Sequence, residues 1–129
     1  MPARQVGTIS QHIAHLLNRQ EISNLPVYLG DSNVAHMKMS HPADYAKYGS
    51  HIPAILSSPD YVGINAKDDS IELVKEFLID HEYVKVAVRI SSTGRLFARS
   101  LYVLNNNRVR NFIAKGTLKR TCQSVCHHL

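Results

Sequence analysis

Two imidazoles stand close together in HMKMSH, as His36 and His41. On one continuous helix five residues turn through about 500°, so the two rings would diverge. Zinc motifs with two histidines on one helix use i,i+4 spacing. The pair therefore reads as proton carriers or as structural side chains, not as metal ligands. Imidazole titrates near neutrality and can take or supply a proton there. Attack by a ribose 2′-hydroxyl on its own phosphodiester needs little more. A base takes the hydroxyl proton, an acid protonates the departing 5′-oxygen, and cations and donors stabilise the extra charge on phosphorus. No metal or cofactor is required. Arg89 and Arg99 are candidate phosphate ligands, and Ser100, Tyr102 and Tyr61 are candidate donors. Lys85 adds a cation near Arg89.

The elements that must carry these groups are partly legible. Val84, Val86, Val88 and Ile90 alternate with Lys85, Ala87 and Arg89, the period of a half-buried strand. Ser91 to Arg95 carries turn chemistry around Gly94. A second strand follows through Phe97, Leu101 and Leu104. Lys85 and Arg89 should then face outward together. Strict alternation puts Arg99 on the opposite side from Ser100 and Tyr102 unless a bulge intervenes. On the helical side, Asp31 or Ser32 should cap a helix that runs to His41. Pro42 forces a break there and starts the next helix. His41 is thus a junction residue.

Elsewhere, Thr8 to Asn18 reads as a helix with a Thr8/Gln11 capping box. Its His12 and His15 have no Cys or acid partner nearby and read as structural. Leu25–Leu29 is extended, and 51–58 is a short helix. Asp60–Ile64 reads as the start of a strand; Ile71–Ile79 fits helical spacing through Ile71, Val74 and Leu78 but is favoured as a strand, and a short helix is expected over Arg108–Lys115 stopped by Gly116. From Thr117 a basic tail is expected to pack poorly. Helices first and strands second give an α+β layout, with N-terminal helices on one face of a four-stranded antiparallel sheet.

A chain of 129 residues with 44% hydrophobic content supports one domain with a modest core, here 1–129 with its centre about 28–119 and a tail over 117–129. No apolar run approaches the about 18 residues of a membrane span, and MPARQVGTIS has no signal-peptide h-region. The two cysteines, Cys122 and Cys126, make no disulfide framework, so a cytoplasmic setting is expected. With His127 and His128 they do not have the spacing of a standard zinc finger. Charge is segregated. Residues 1–82 hold six Lys/Arg and ten Asp/Glu, whereas 83–129 hold nine Lys/Arg and no acid. Such a split suits contact with a polyanion such as RNA.

Taken in order, several stretches resemble a known group. They are His36-x4-His41-Pro42-x-Asp44-Tyr45, Ile55-Leu56-x-x-Pro59-Asp60-Tyr61-Val62-Gly63, Val86-x-Val88-Arg89, and Gly94-x-Leu96-Phe97-Ala98-Arg99-Ser100-Leu101-Tyr102. Together they resemble the phage and mobile-element nuclease domains grouped with barnase, EndoU, tRNA-cleaving colicins and RelE. The resemblance spans Tyr28 to Lys119. It implies the same helical part followed by a four-stranded sheet, and metal-independent RNA cleavage by a toxin-like domain. It also implies a cognate inhibitor or a larger delivery protein. The positions it carries over are His36, His41, Arg89, Ser100 and Tyr102, with Tyr61. Two other functions fit the same residues. One is a non-catalytic RNA- or ribosome-binding module built on the basic half. The other is a phage or host protein-interaction domain that uses the acidic half.

Overall fold

The structure is a computed structural model and describes residues 3–121. The β-hairpin is as the alternation predicts, with β5 (Glu82–Ile90) and β6 (Leu96–Leu104) antiparallel. To introduce the rest in chain order, the strands are β1 (Arg4–Thr8), β2 (Pro26–Leu29), β3 (Tyr61–Ile64), β4 (Ile71–Phe77) and, after the hairpin, β7 (Lys119–Arg120). The helices are α1 (Gln11–Leu16), α2 (Asp31–Ser40), α3 (Pro42–Tyr48), α4 (Ile52–Ser57) and α5 (Asn106–Lys115).

The fold is α+β, but the expected four-stranded antiparallel sheet is not what forms. One seven-stranded mixed sheet runs β1-β2-β6-β5-β4-β3-β7. The extra strands come from both ends of the chain. β1 pairs antiparallel with β2, and β2 pairs parallel with β6 through Val27–Leu96 and Tyr28–Phe97. Neither β1 nor β2 is long enough to display alternation, and a parallel partner lies far off in sequence. The tail is also better packed than expected. Leu118 is buried, Lys119 and Arg120 add an edge to β3, and Thr121 donates to the Asp60 carbonyl at 3.0 Å. Gly63 permits this, because a Cβ there would lie 2.3 Å from the Thr117 carbonyl oxygen. The segment with Cys122, Cys126, His127 and His128 lies outside the described residues.

The helices do not share one face. The main core joins Val84, Val86, Val88, Ala98 and Leu101 to Ile13 of α1, Met37 of α2, Tyr48 of α3 and Ile55 of α4. The opposite face holds a smaller cluster in which Val109 of α5 meets Tyr61, Val74 and Leu104. The sheet is therefore covered along one face and, where α5 lies, on the other. Among the described residues no helix is long and apolar enough to cross a membrane.

Candidate active site

Helix α2 sets one wall of the site. Gly30, not Asp31 or Ser32, holds the cap position, and its N–H donates to Asn33 Oδ1 at 2.9 Å. Asp31 in the first turn and Lys38 in the last suit the helix dipole. Met37 is the buried anchor, and α2 lies along β6. The helix ends at His41, whose φ of −143° and ψ of 69° leave the α region as a residue before proline must. The break does not bring the two rings together: His36 stays on α2 and His41 faces Tyr102. His41 is turned out of the helix, and its ring stacks on Tyr102 at 4.8 Å and 24°. Asp44, on the first turn of α3, accepts from the Val103 N–H at 3.0 Å and ties this corner to β6.

The other wall is sheet. Between Ala87 and Val88 the β5–β6 register shifts, with Ala87 opposite Ser100 and Val88 opposite Ala98. Arg99 is the extra residue of a bulge. Ala98 and Leu101 both reach the main core, so Arg99 and Ser100 share the outer side. The bulge that strict alternation required is therefore present.

A cleft of about 710 Å³ lies between these walls. His36 and the start of α2 line it on one side, and Arg89, Phe97 and Arg99 on the other, with Arg95 and Ser91 from the hairpin turn. His36 Nε2 lies 3.4 Å from Ser40 Oγ, one turn further along α2. Arg89, Arg95 and Arg99 make no ion pair among the described residues. The Asp68 carboxyl is held below its usual range mainly by hydrogen bonds from Ser70, with a smaller contribution from the Arg89 charge. Three arginines beside the N-terminus of α2 make a cleft suited to phosphate. Asp31, at the same mouth, opposes them and already has a partner.

Lys85 departs from expectation. It is on the outer face with Arg89, yet only 8% exposed. Its Nζ donates to Glu72 Oε2 at 2.8 Å and stands 4.7 Å from the Tyr102 ring centroid. Burial pushes its pKa down, but the Glu72 hydrogen bond, Tyr102 and the attached charges outweigh this and raise it. The ammonium stays charged and committed to Glu72, as a support under Tyr102 and not as a free phosphate ligand. The outer face thus carries two groups along β5 and β6. His36, Arg89 and Arg99 are at one end. His41, Tyr102 and Lys85 are at the other, four residues or about 13 Å along the strand. Ser100 sits between them, opposite Ala87, and its hydroxyl has no hydrogen-bond partner among the described residues.

Tyr61 joins neither group. It is 7% exposed, packed in the α5 cluster, three strands from Tyr102, with Arg120 5.5 Å over its ring. Arg95, Phe97 and Tyr28 were not singled out by sequence reasoning, because a turn arginine and two strand aromatics carry no signal without the β2–β6 pairing. Among the described residues no cluster of three or more His, Cys, Asp or Glu could hold a metal ion.

The family model described as phage-Barnase-EndoU-ColicinE5/D-RelE like nuclease3 matches residues 4–111. The chain belongs to this nuclease family. The match begins well before Tyr28, so β1 and α1 are part of the nuclease-like domain, and it contains the cleft from Gly30 to Arg99. It stops within α5, before β7. No curated protein and no solved structure matches the chain.

Proposed function

We propose that this nuclease-like domain is a metal-independent endoribonuclease of toxin type. One observation carries the reading: His36 shares a single cleft with Arg89 and Arg99, which make no ion pair among the described residues, beside the N-terminus of α2. In the proposed reaction the two arginines and the helix N-terminus hold the scissile phosphate. The 2′-oxygen bonds to phosphorus as its proton passes to an imidazole. The 5′-oxygen leaves with a proton from the acid, giving a 2′,3′-cyclic phosphate and a 5′-hydroxyl. His36 is the proton carrier nearest the arginines; His41, stacked on Tyr102 in the other group, is the candidate for the second transfer, on a substrate strand that runs along both groups. Ser100, with its unengaged hydroxyl midway, donates to a non-bridging oxygen. Lys85 positions Tyr102. A toxin of this kind acts on cytoplasmic RNA and needs a cognate inhibitor or a fused delivery protein.

The test is incubation of purified protein with tRNA and total RNA in EDTA. Cleavage is expected, and it should fall by about 10²- to 10⁴-fold in His36→Ala, the usual contribution of a positioned acid or base. Intact RNA, or undiminished cleavage by His36→Ala and His41→Ala, counts against the reading. Salt-sensitive binding without product selects a non-catalytic RNA-binding module instead.

A further inference from the structure

Tyr28 and Phe97 are adjacent across the parallel β2–β6 pair, with ring centroids 6.0 Å apart. Both are half-buried, yet neither belongs to the main core or to the α5 cluster. They stand on the outer face with a cation over them. The Arg95 guanidinium lies 4.1 Å from the Tyr28 centroid and 5.8 Å from that of Phe97. Phe97 and Arg95 also line the cleft with His36, Arg89 and Arg99. An aromatic pair outside both core clusters, capped by a planar cation and flanked by arginines, has the make-up of a stacking platform.

We infer that the Tyr28–Phe97 pair, with Arg95, is the subsite for a nucleobase next to the scissile phosphate. This rests on the ribonuclease reading of the cleft. A base can reach the platform only when it is unstacked from its neighbours, so the substrate is a single-stranded or looped segment and not a continuous duplex. Arg95 moves off Tyr28 to close over the base or to join the phosphate ligands. Stacking tolerates any base, so the platform sets strandedness before it sets sequence.

The chain contains no tryptophan, so Phe97→Trp supplies one emission reporter. The probes are an uncleavable 2′-O-methyl RNA hexamer, the same hexamer as a duplex, and inorganic tripolyphosphate. The hexamer should quench the emission, and the duplex and tripolyphosphate should not. Tyr28→Leu and Phe97→Leu keep apolar bulk at the β2–β6 seam and remove the π-face. By isothermal titration calorimetry, each should weaken hexamer binding by about 5- to 150-fold and leave tripolyphosphate binding unchanged. Three results overturn the inference: unchanged hexamer affinity in both variants, equal weakening of hexamer and tripolyphosphate, or a duplex that quenches as well as the single strand. Failure of the nuclease reading is distinguishable, because the hexamer would then bind and quench while unmodified RNA stays intact.

Discussion

Replacing Glu72 with Leu should destabilise the protein far more than a surface ion-pair deletion does, and replacing Lys85 as well should restore most of the loss. The Lys85 and Glu72 side chains are each only 10% exposed, and their charged atoms are 2.8 Å apart. At an effective dielectric of about 20 the attraction is about 6 kcal/mol, against which each ion forfeits several kcal/mol of hydration. The intact pair is therefore close to neutral, whereas Glu72→Leu leaves a buried ammonium alone and should cost about 3–5 kcal/mol. Lys85→Met should cost somewhat less, because Asn65 Nδ2 still donates to Glu72 at 3.2 Å. The double variant should lie within about 2 kcal/mol of wild type. The pH dependence adds a sign. In wild type the folded-state pKa of Lys85 is raised, so its stabilisation is complete below about 10.4 and is lost as pH rises through the folded value. In Glu72→Leu that pKa falls below the unfolded value, so stability should increase as pH rises towards 10. Urea unfolding of the four proteins at pH 7 and 9 measures both effects. Additive single effects below about 1 kcal/mol each would refute the burial argument.

Three other expectations follow. Arg99→Ala, at an exposed bulge residue with no ion-pair partner among the described residues, should change stability by less than about 0.5 kcal/mol yet reduce RNA cleavage by about 10²- to 10³-fold, the size of a lost oxyanion donor; a melt and a gel assay separate the two. Gly63→Ala brings a methyl to 2.3 Å from the Thr117 carbonyl oxygen, which should cost about 1–3 kcal/mol and expose residues after α5 to limited proteolysis. Hydrogen bonds from Lys47 and Tyr48 hold the Glu82 carboxyl below its usual range; its stabilisation is present above about pH 4.3 and lost as pH falls through the depressed value. Glu82→Gln should flatten the acid limb of the melting-temperature profile below that pH.

Local signals in the sequence were enough for the hairpin and for the helix break at His41-Pro42. Both rest on rules that operate over a few residues, namely alternation, a glycine turn and the exclusion of α geometry before proline. The same locality explains the failures. Arg4–Thr8 contains little to mark it as a strand, and it becomes one only because β2 is already beside β6. The burial of Lys85 depends on α5 covering that face and on Glu72, which lies diagonally across the β4–β5 pair from it. Glu72 lies between Ile71 and Leu73, so the same alternation puts it on the Lys85 side, a signal present in the sequence. The bulge at Arg99 was only a condition in the sequence. Nothing in single-strand alternation says where a ladder will slip, and here the slip decides that Arg99 lines the cleft. The loss of Tyr61 from the site has the same origin, since strand order sets it three strands away and α5 covers it.

The most direct measurement is cleavage, in EDTA, of one short RNA strand and of its all-2′-deoxy counterpart, with the product ends identified by mass. The RNA should be cut to a 2′,3′-cyclic phosphate and a 5′-hydroxyl, and the deoxy strand should stay whole. Comparable cutting of the deoxy strand, or an untouched RNA strand, would contradict a cleft in which the ribose hydroxyl is the nucleophile.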